Sequence, residues 1–145
     1  MEEKLSFDYL KFDRSIDSFN FLENDNITVK ELVISRMYGH AWNFSNFKQL
    51  KNNLKILRLP NNKIFDPIID LDKFQALEEL DLHQNSLSEF PILTNLLPRL
   101  QKINLADNPF KCNCTTMSYV RENEWSRIDV LNSINCIRNG EICKI

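Results

Sequence analysis

The sequence has few glycines and prolines and lacks a long apolar run. Only two glycines and five prolines occur among 145 residues, and neither type clusters into a linker, so we expect one domain spanning 1–145. No run of about 18 apolar residues is present, and we expect this segment to make no membrane contact of its own. The initial residues Met-Glu-Glu-Lys-Leu-Ser do not lead into the apolar stretch of a secretory signal.

An excess of one charge and the motifs of catalysis are lacking as well. The 18 basic and 20 acidic residues give a formal charge of −2, without the concentrated basic stripe that nucleic acid requires. His40 and His83 stand beside no serine or cysteine in a nucleophile context. No glycine loop for phosphate and no His/Glu spacing for a metal occurs. We therefore predict a non-enzymatic protein with no catalytic residues, cofactor, metal or nucleic-acid partner.

A phrase that recurs three times with a period of 23 residues is what the sequence does contain. It reads Leu54-x-x-Leu57-x-Leu59-x-x-Asn62-x-Ile64 and starts again at Leu77 and Leu100. Apolar residues at phrase positions 1, 4, 6 and 11, with asparagine at position 9, are typical of a leucine-rich-repeat solenoid. We predict an α/β solenoid with short parallel strands on its concave face and an irregular or short-helical convex side.

The phrase also predicts which side chains are buried. Positions 4 and 6 point into the core as in a short strand, and positions 3, 5 and 7 point outward. The position-9 amide is expected to bond backbone groups of the turn in each coil. Weaker copies begin at Phe7 and Val29, where Ser15 and Met37 replace the asparagine. About five coils result, with 1–28 as a degenerate N-terminal coil or cap, 29–107 as repeats and 108–145 as a C-terminal cap.

All four cysteines lie in the last quarter of the chain. Asn-Pro-Phe-x-Cys112-x-Cys114 follows the last phrase directly, and Cys136 and Cys143 come near the end. This arrangement resembles the disulfide-bonded C-terminal cap of extracellular leucine-rich-repeat proteins, most closely the capped end of Toll-type receptor ectodomains. The sequence alone permits three pairings of four cysteines. The resemblance implies Cys112–Cys136 and Cys114–Cys143, and with them oxidising surroundings.

Three acceptor sequons agree with a secretory route. They begin at Asn26, Asn43 and Asn113, which are the candidate glycosylation sites. We predict an extracellular or secreted location. The chain is then either a portion of a longer ectodomain or a domain whose irregular first coil closes its own end.

The outward strand positions supply the candidate binding residues. The predicted ligand-binding residues of the concave face are Tyr9, Lys11, Arg14, Arg36, Ile56, Arg58, Asp81 and His83. Basic residues fall in the early coils and acidic ones in the late coils, so the face is expected to be graded in charge. A mixed surface of this kind suits protein recognition. We predict a ligand-binding or dimerisation segment of a Toll-like or other leucine-rich-repeat receptor, with a protein partner or a second copy on that face.

Two other functions and one other chemistry stay open. A small secreted leucine-rich-repeat binder or immune factor would use the same face. A cytosolic leucine-rich-repeat scaffold would carry free thiols and a different cap, which Asn108-Pro109, Tyr119-Val120-Arg121 and 128–131 loosely resemble. Four thiolates could also hold zinc, although Cys-x-Cys matches the usual spacing poorly.

Overall fold

Eight β-strands make up the regular structure of the described chain. The structure, a computed structural model, describes residues 5–13, 27–37, 50, 52–65, 71, 74–89, 97–111, 118, 122, 126–138 and 141–144. The strands are β1 (Leu5–Asp13), β2 (Ile27–Ser35), β3 (Ile56–Arg58), β4 (Glu79–Asp81), β5 (Lys102–Asn104), β6 (Asp129–Val130), β7 (Asn135–Arg138) and β8 (Glu141–Lys144).

The first six strands form one parallel sheet in chain order. The register joins equivalent phrase positions, because Leu57 pairs with Leu32 of β2 on one side and with Leu80 of β4 on the other. Parallel neighbours require a crossover connection after every strand. Strands that pair in chain order with long returns are compatible with the predicted solenoid, and the predicted strand register is confirmed.

The inward-pointing side chains of these strands form the core. Positions 4 and 6 are almost completely buried, with at most 1% of each residue exposed, in Leu32, Ile34, Leu57, Leu59, Leu80, Leu82, Ile103 and Leu105. Positions 1 and 11 of the three regular phrases lie beneath them, for example Leu54 and Ile64 in the coil of β3. Removing such a side chain to alanine costs about 2–5 kcal/mol. The predicted apolar stripe is therefore the core.

The sixth strand comes from the C-terminal region, and the repeat phrase does not predict it. Asp129 and Val130 pair with β5, and the Leu131 N–H donates to the Ile103 carbonyl at 2.8 Å. Ile128 and Ile134, on either side, are buried in the same core. A cap of either kind has to pair with the last strand to cover its edge. The presence of β6 therefore does not distinguish the extracellular cap from the cytosolic one.

β7 and β8 form a separate antiparallel hairpin. Their register places Cys136 opposite Cys143 and Arg138 opposite Glu141. Two residues remain between the strands, and the sequence there is Asn-Gly, a combination favoured in two-residue hairpin turns. That dipeptide was the available sequence signal for this hairpin, which the repeat phrase does not reveal.

The returns between strands are described only in part. Phe74 and Leu97, in the returns that precede β4 and β5, are each 1% exposed and belong to the core. Much of the predicted convex side, including 38–49, 66–70 and 90–96, lies outside the described residues, so its short-helical character stays a prediction. Within the described part of the chain, no helix has the length and apolarity to cross a membrane.

Candidate recognition face and the asparagine column

A column of buried asparagines follows the strands at phrase position 9. Asn62, Asn85 and Asn108 are 2%, 8% and 8% exposed. Asn85 Oδ1 accepts from the Asn62 and Ile64 N–H groups at 2.9 and 3.0 Å. Its Nδ2 donates to the Leu59 and Leu82 carbonyls at 2.8 and 2.9 Å. Of these four backbone groups, three lie in the preceding coil, 21 to 26 residues away.

Each asparagine bonds the coil that precedes it. Asn62 accepts from the Met37 N–H at 2.9 Å and donates to the Ile34 carbonyl at 2.8 Å. Asn108 accepts from the Leu87 N–H at 3.0 Å and donates to the Leu82 carbonyl at 3.0 Å. Because each asparagine bonds the coil before its own, Asn62 joins the coil that contains Met37 to the next coil. That junction therefore needs no side-chain amide at Met37. The expected bonding of the turn by asparagine is confirmed for these three positions.

The residue before each member of this column has a left-handed backbone. Positive φ angles of 54–58° occur at Arg36, Asn61, Gln84 and Asp107, all at phrase position 8. This conformation turns the chain away from the strand so that position 9 points inward. It is strained for residues with a Cβ, least so for asparagine and aspartate. The sequence did not predict this conformation at Arg36 and Gln84, since arginine and glutamine seldom adopt a positive φ angle.

We call the sheet surface formed by positions 3, 5 and 7 the open face. Its residues with described side chains are Glu31, Val33, Ser35, Ile56, Arg58, Pro60, Glu79, Asp81, His83, Lys102, Asn104, Ala106, Asp129 and Leu131. Register aligns them in columns, so that Ile56 lies between Glu31 and Glu79. Charged and apolar side chains are therefore neighbours on the face.

Arg58 links three strands of the open face. Its Nη1 donates to Glu31 Oε1 of β2, and its Nε and Nη2 donate to Glu79 Oε1 of β4 at 3.1 and 2.8 Å. Both carboxylates flank Ile56, so a guanidinium that bonds both has to pass over that residue. Burial lowers the pKa of Arg58, but the hydrogen bonds and charges of Glu79 and Glu31 outweigh it, and the pKa lies above its usual value.

This network changes the predicted charge gradient. Arg58 was expected to belong to a basic early end of the face, yet it is neutralised by carboxylates on both neighbouring strands. The repeat phrase missed Glu31 as its partner because the two residues are 27 positions apart. Beyond Glu79, the same column continues with Lys102 and then Asp129. From Glu79 to Asp129 the sign of the charge therefore changes at each strand of this column.

Asp81 and His83 form a second local group at the end of β4. Asp81 Oδ1 accepts from the His83 N–H at 3.0 Å and lies 2.6 Å from His83 Nδ1. Asn104 takes the same role in the next coil, where its Oδ1 accepts from the Ala106 N–H at 3.2 Å. Asp81 is on the predicted face, but it is only 9% exposed. Its main described role is to hold the turn, and His83 presents the more accessible surface.

The remaining predicted residues divide by what is described. Arg36 is exposed at the strand end, and Ile56 is half-buried. The backbones of Tyr9 and Lys11 pair with Glu31 and Val33, which places both at outward phrase positions. Those lying outside the described residues are Arg14, Cys112, Cys114, Asn26, Asn43 and Asn113. The disulfides and glycosylation sites therefore stay predictions.

The described side chains do not form a metal-binding cluster. Among them, no group of three or more histidine, cysteine, aspartate or glutamate residues is placed to share a metal ion. The Asp81 and His83 pair is a two-residue contact within one coil. The described open face is a surface whose side chains are held by hydrogen bonds between strands and within turns.

Comparison with known proteins places the chain near Toll-like receptors. It is 27% identical to human Toll-like receptor 6 over 142 residues, covering 79% of this chain and 18% of that protein. The bovine and mouse Toll-like receptor 6 proteins are 25% and 24% identical over 141 and 144 residues, covering 81% and 82% of the chain. The chain spans less than a fifth of the length of these relatives. No family model matches it.

The similarity agrees with the parallel sheet and the 23-residue phrase. It covers about four fifths of the chain, so it extends well beyond the three regular phrases. It supports a leucine-rich-repeat segment of the Toll-like receptor type.

Proposed function

We propose that this chain is a non-catalytic protein-recognition module from the extracellular part of a Toll-like or other leucine-rich-repeat receptor. The proposed contact surface is the open face. The partner is a protein ligand, another receptor chain or a second copy of the same chain. Supporting this are the similarity to Toll-like receptor 6 and a rigid face whose charged and apolar side chains lie in register.

The ordered face is the single observation that carries this proposal. Binding sites gain affinity when their side chains are held before the partner arrives. Arg58 is held by two carboxylates, and His83 is held by Asp81. Ile56 and Val33 add half-buried apolar surface beside them. Arginine next to apolar side chains is a frequent composition of binding hot spots.

The extracellular part of the proposal depends on the cap. We propose the pairs Cys112–Cys136 and Cys114–Cys143, with glycans on Asn26, Asn43 or Asn113. Peptide mapping of protein made through a secretory pathway, with and without reduction, tests both. Two such bridges and a modified asparagine support the extracellular module. Four free thiols without glycan support the cytosolic scaffold instead, and bound zinc would support the metal alternative.

Recognition is tested by screening the secreted protein against secreted and cell-surface proteins of the same organism. Any partner found is then measured against two matched variants, Ile56→Ser and Phe65→Ser. Both remove a large apolar side chain, but Ile56 is on the open face and Phe65, which is 75% exposed, is not. We expect a loss of about 2 kcal/mol, or roughly thirtyfold in Kd, for Ile56→Ser alone.

Two results would contradict the open face as the contact surface. One is an unchanged affinity for Ile56→Ser together with a loss for Phe65→Ser. The other is an equal loss in both variants while each retains the unfolding midpoint of the parent. Sedimentation of the parent protein alone tests whether a second copy is the partner.

A further inference from the structure

A shallow groove lies away from the open face, at the edge where the strands begin. It encloses about 370 Å³ and is lined by Asn52, Gln75, Ala76, Pro98 and Arg99. These residues come from three successive coils at equivalent positions, 23 residues apart. Each belongs to the tight turn that immediately precedes β3, β4 or β5. The groove is therefore built by the repeat itself and crosses the coils.

The turns that form the groove are held by hydrogen bonds between residues three positions apart in the chain. The Leu100 N–H donates to the Leu97 carbonyl at 3.1 Å, and the Leu77 N–H donates to the Phe74 carbonyl at 3.1 Å. Phe74 and Leu97 are themselves anchored in the core at 1% exposure. Pro98 occupies the second position of its turn, where its fixed φ is favourable. A ligand thus meets a surface that is already formed.

Ala76 provides the depth of the groove. The equivalent residues in the neighbouring coils are Asn53 and Arg99, whose side chains are longer. Ala76 is only 9% exposed, so it forms the floor. A volume of about 370 Å³ is near the lower end of the range for ligand pockets. The space suits a short segment better than a large cofactor.

Among the described residues, the groove offers a hydrogen-bonding amide and a cation. Asn52 is exposed and carries donors and an acceptor, which match the N–H and C=O groups of a peptide backbone. Arg99 is exposed, and among the described residues it has no hydrogen-bond or ion-pair partner. The nearest acidic side chain in the coil sequence, Glu78, is bound by Lys55 Nζ at 3.0 Å. Of the described lining residues, Arg99 carries a charge and none is acidic, so the described lining favours an anionic group.

Dimensions favour an extended peptide over other ligands. Neighbouring parallel strands lie about 4.8 Å apart, so two coil spacings span roughly 10 Å, the length of about three extended residues. None of the described lining residues has an aromatic ring that could stack against a sugar. A guanidinium binds a carboxylate with paired hydrogen bonds. We propose that this groove binds a short extended peptide segment that bears an aspartate or glutamate side chain, with Arg99 holding its carboxylate.

The proposal is tested with a blocked pentapeptide, Gly-Ser-Glu-Ser-Gly, titrated into the full chain by NMR and calorimetry. Amide shifts are expected at the three turns, and the glutamine version of the peptide should bind at least about tenfold more weakly. Arg99→Ala should weaken binding of the glutamate peptide by a similar factor. Ala76→Asn should do so as well, because it fills the groove with a side chain that the preceding coil already accommodates at Asn53.

Lys111→Ala is the matched control. Lys111 is an exposed cation in the same coil as Arg99, beyond the far end of the strand, and its removal changes the net charge equally. We expect less than a twofold change. The open-face variant Ile56→Ser should also leave peptide affinity unchanged. A failure of the groove proposal can therefore be distinguished from a failure of the proposed open-face recognition.

Three outcomes would overturn the proposal. The first is no saturable binding of the glutamate peptide. The second is equal weakening by Arg99→Ala and Lys111→Ala, which indicates general charge attraction rather than a site. The third is tighter binding of an oligogalacturonate of similar length, which would assign the groove to acidic carbohydrate.

Discussion

Neighbouring coils are joined in two places, at the asparagine column and at the Arg58 network, and the two differ in burial. Asn85 is 8% exposed and bonds four backbone groups. Arg58 and its partner Glu31 expose 32% and 23% of their side chains and bond each other. A buried polar group without a partner is costly, whereas a half-exposed one regains water. The buried asparagine column therefore stabilises the fold, whereas the half-exposed Arg58 network orders side chains on its surface.

The same difference separates structural from recognition residues. Every hydrogen-bonding atom of the Asn85 amide is used within the protein, so little is left for a partner. Arg58 keeps part of its guanidinium accessible while two carboxylates hold its position. Half-exposed residues of this kind can be substituted without unfolding the coil. Solenoids can therefore present different faces on one scaffold.

The strongest test of this comparison is Asn85→Ala. The change leaves the N–H groups of Asn62 and Ile64 and the Leu59 carbonyl without their buried side-chain partner, whereas the Leu82 carbonyl keeps its bond from Asn108. We expect a loss of about 4 kcal/mol in the free energy of unfolding. Urea denaturation measures it. Asn52→Ala, an exposed asparagine in a turn, is the control and should change stability by less than about 0.5 kcal/mol.

Arg58→Met should have a smaller effect. Methionine keeps the apolar stem over Ile56 but leaves Glu31 and Glu79 without the shared cation, and we expect a loss of about 1–2 kcal/mol. The loss should shrink in high salt, since screening weakens the remaining repulsion. Lys102→Met removes an open-face cation that has no ion pair among the described residues. If it costs as much as Arg58→Met, the network has no specific contribution.

The turn before the column can be tested at Gln84. Its φ of 55° is unfavourable for a β-branched side chain, so Gln84→Val should destabilise the protein by about 1 kcal/mol. Gln84→Gly should be neutral or stabilising by about 0.5 kcal/mol, because relief of strain opposes the greater freedom of the unfolded chain. Thermal unfolding distinguishes them. A larger loss for glycine than for valine would contradict the role assigned to this backbone.

The smallest effect is expected at an exposed pair. Lys55 Nζ lies 3.0 Å from Glu78 Oε1, with 53% and 38% of the side chains exposed. Such pairs contribute little after screening and entropy. Lys55→Ala should change the unfolding free energy by less than about 0.5 kcal/mol in urea titrations. A loss comparable to that of Arg58→Met would show that exposure does not separate the junctions as argued.

Much of the fold was predictable from the repeat phrase. The alternation around Leu57 and Leu59 identified the inward stripe, and the 23-residue period identified Leu80 and Ile103 as neighbours in the sheet. The asparagine at position 9 was predicted to bond the turn, and the structure supplies its partners. Local chemistry was sufficient here because the same pattern recurs in each coil.

The candidate site was less predictable. The phrase placed Arg58, Asp81 and His83 on one face, but it did not reveal that Asp81 is mostly buried by capping the turn. It did not pair Arg58 with Glu31 either, since side-chain reach across strands depends on rotamers. The cap strand β6 was missed because its pairing with β5 depends on the path of the chain after the last phrase. These features depend on the assembled neighbours.

The sequence by itself determined the period, the inward and outward sides of each strand and the positions of the buried asparagines. These follow from the two-residue alternation of a strand and from the high cost of a buried, unbonded amide. Only the tertiary structure decided which charges meet on the open face, where β6 closes the sheet and how Ala76 and Arg99 shape a groove. Those outcomes require residues 20 or more positions apart to be brought within contact distance, and no local pattern specifies that geometry.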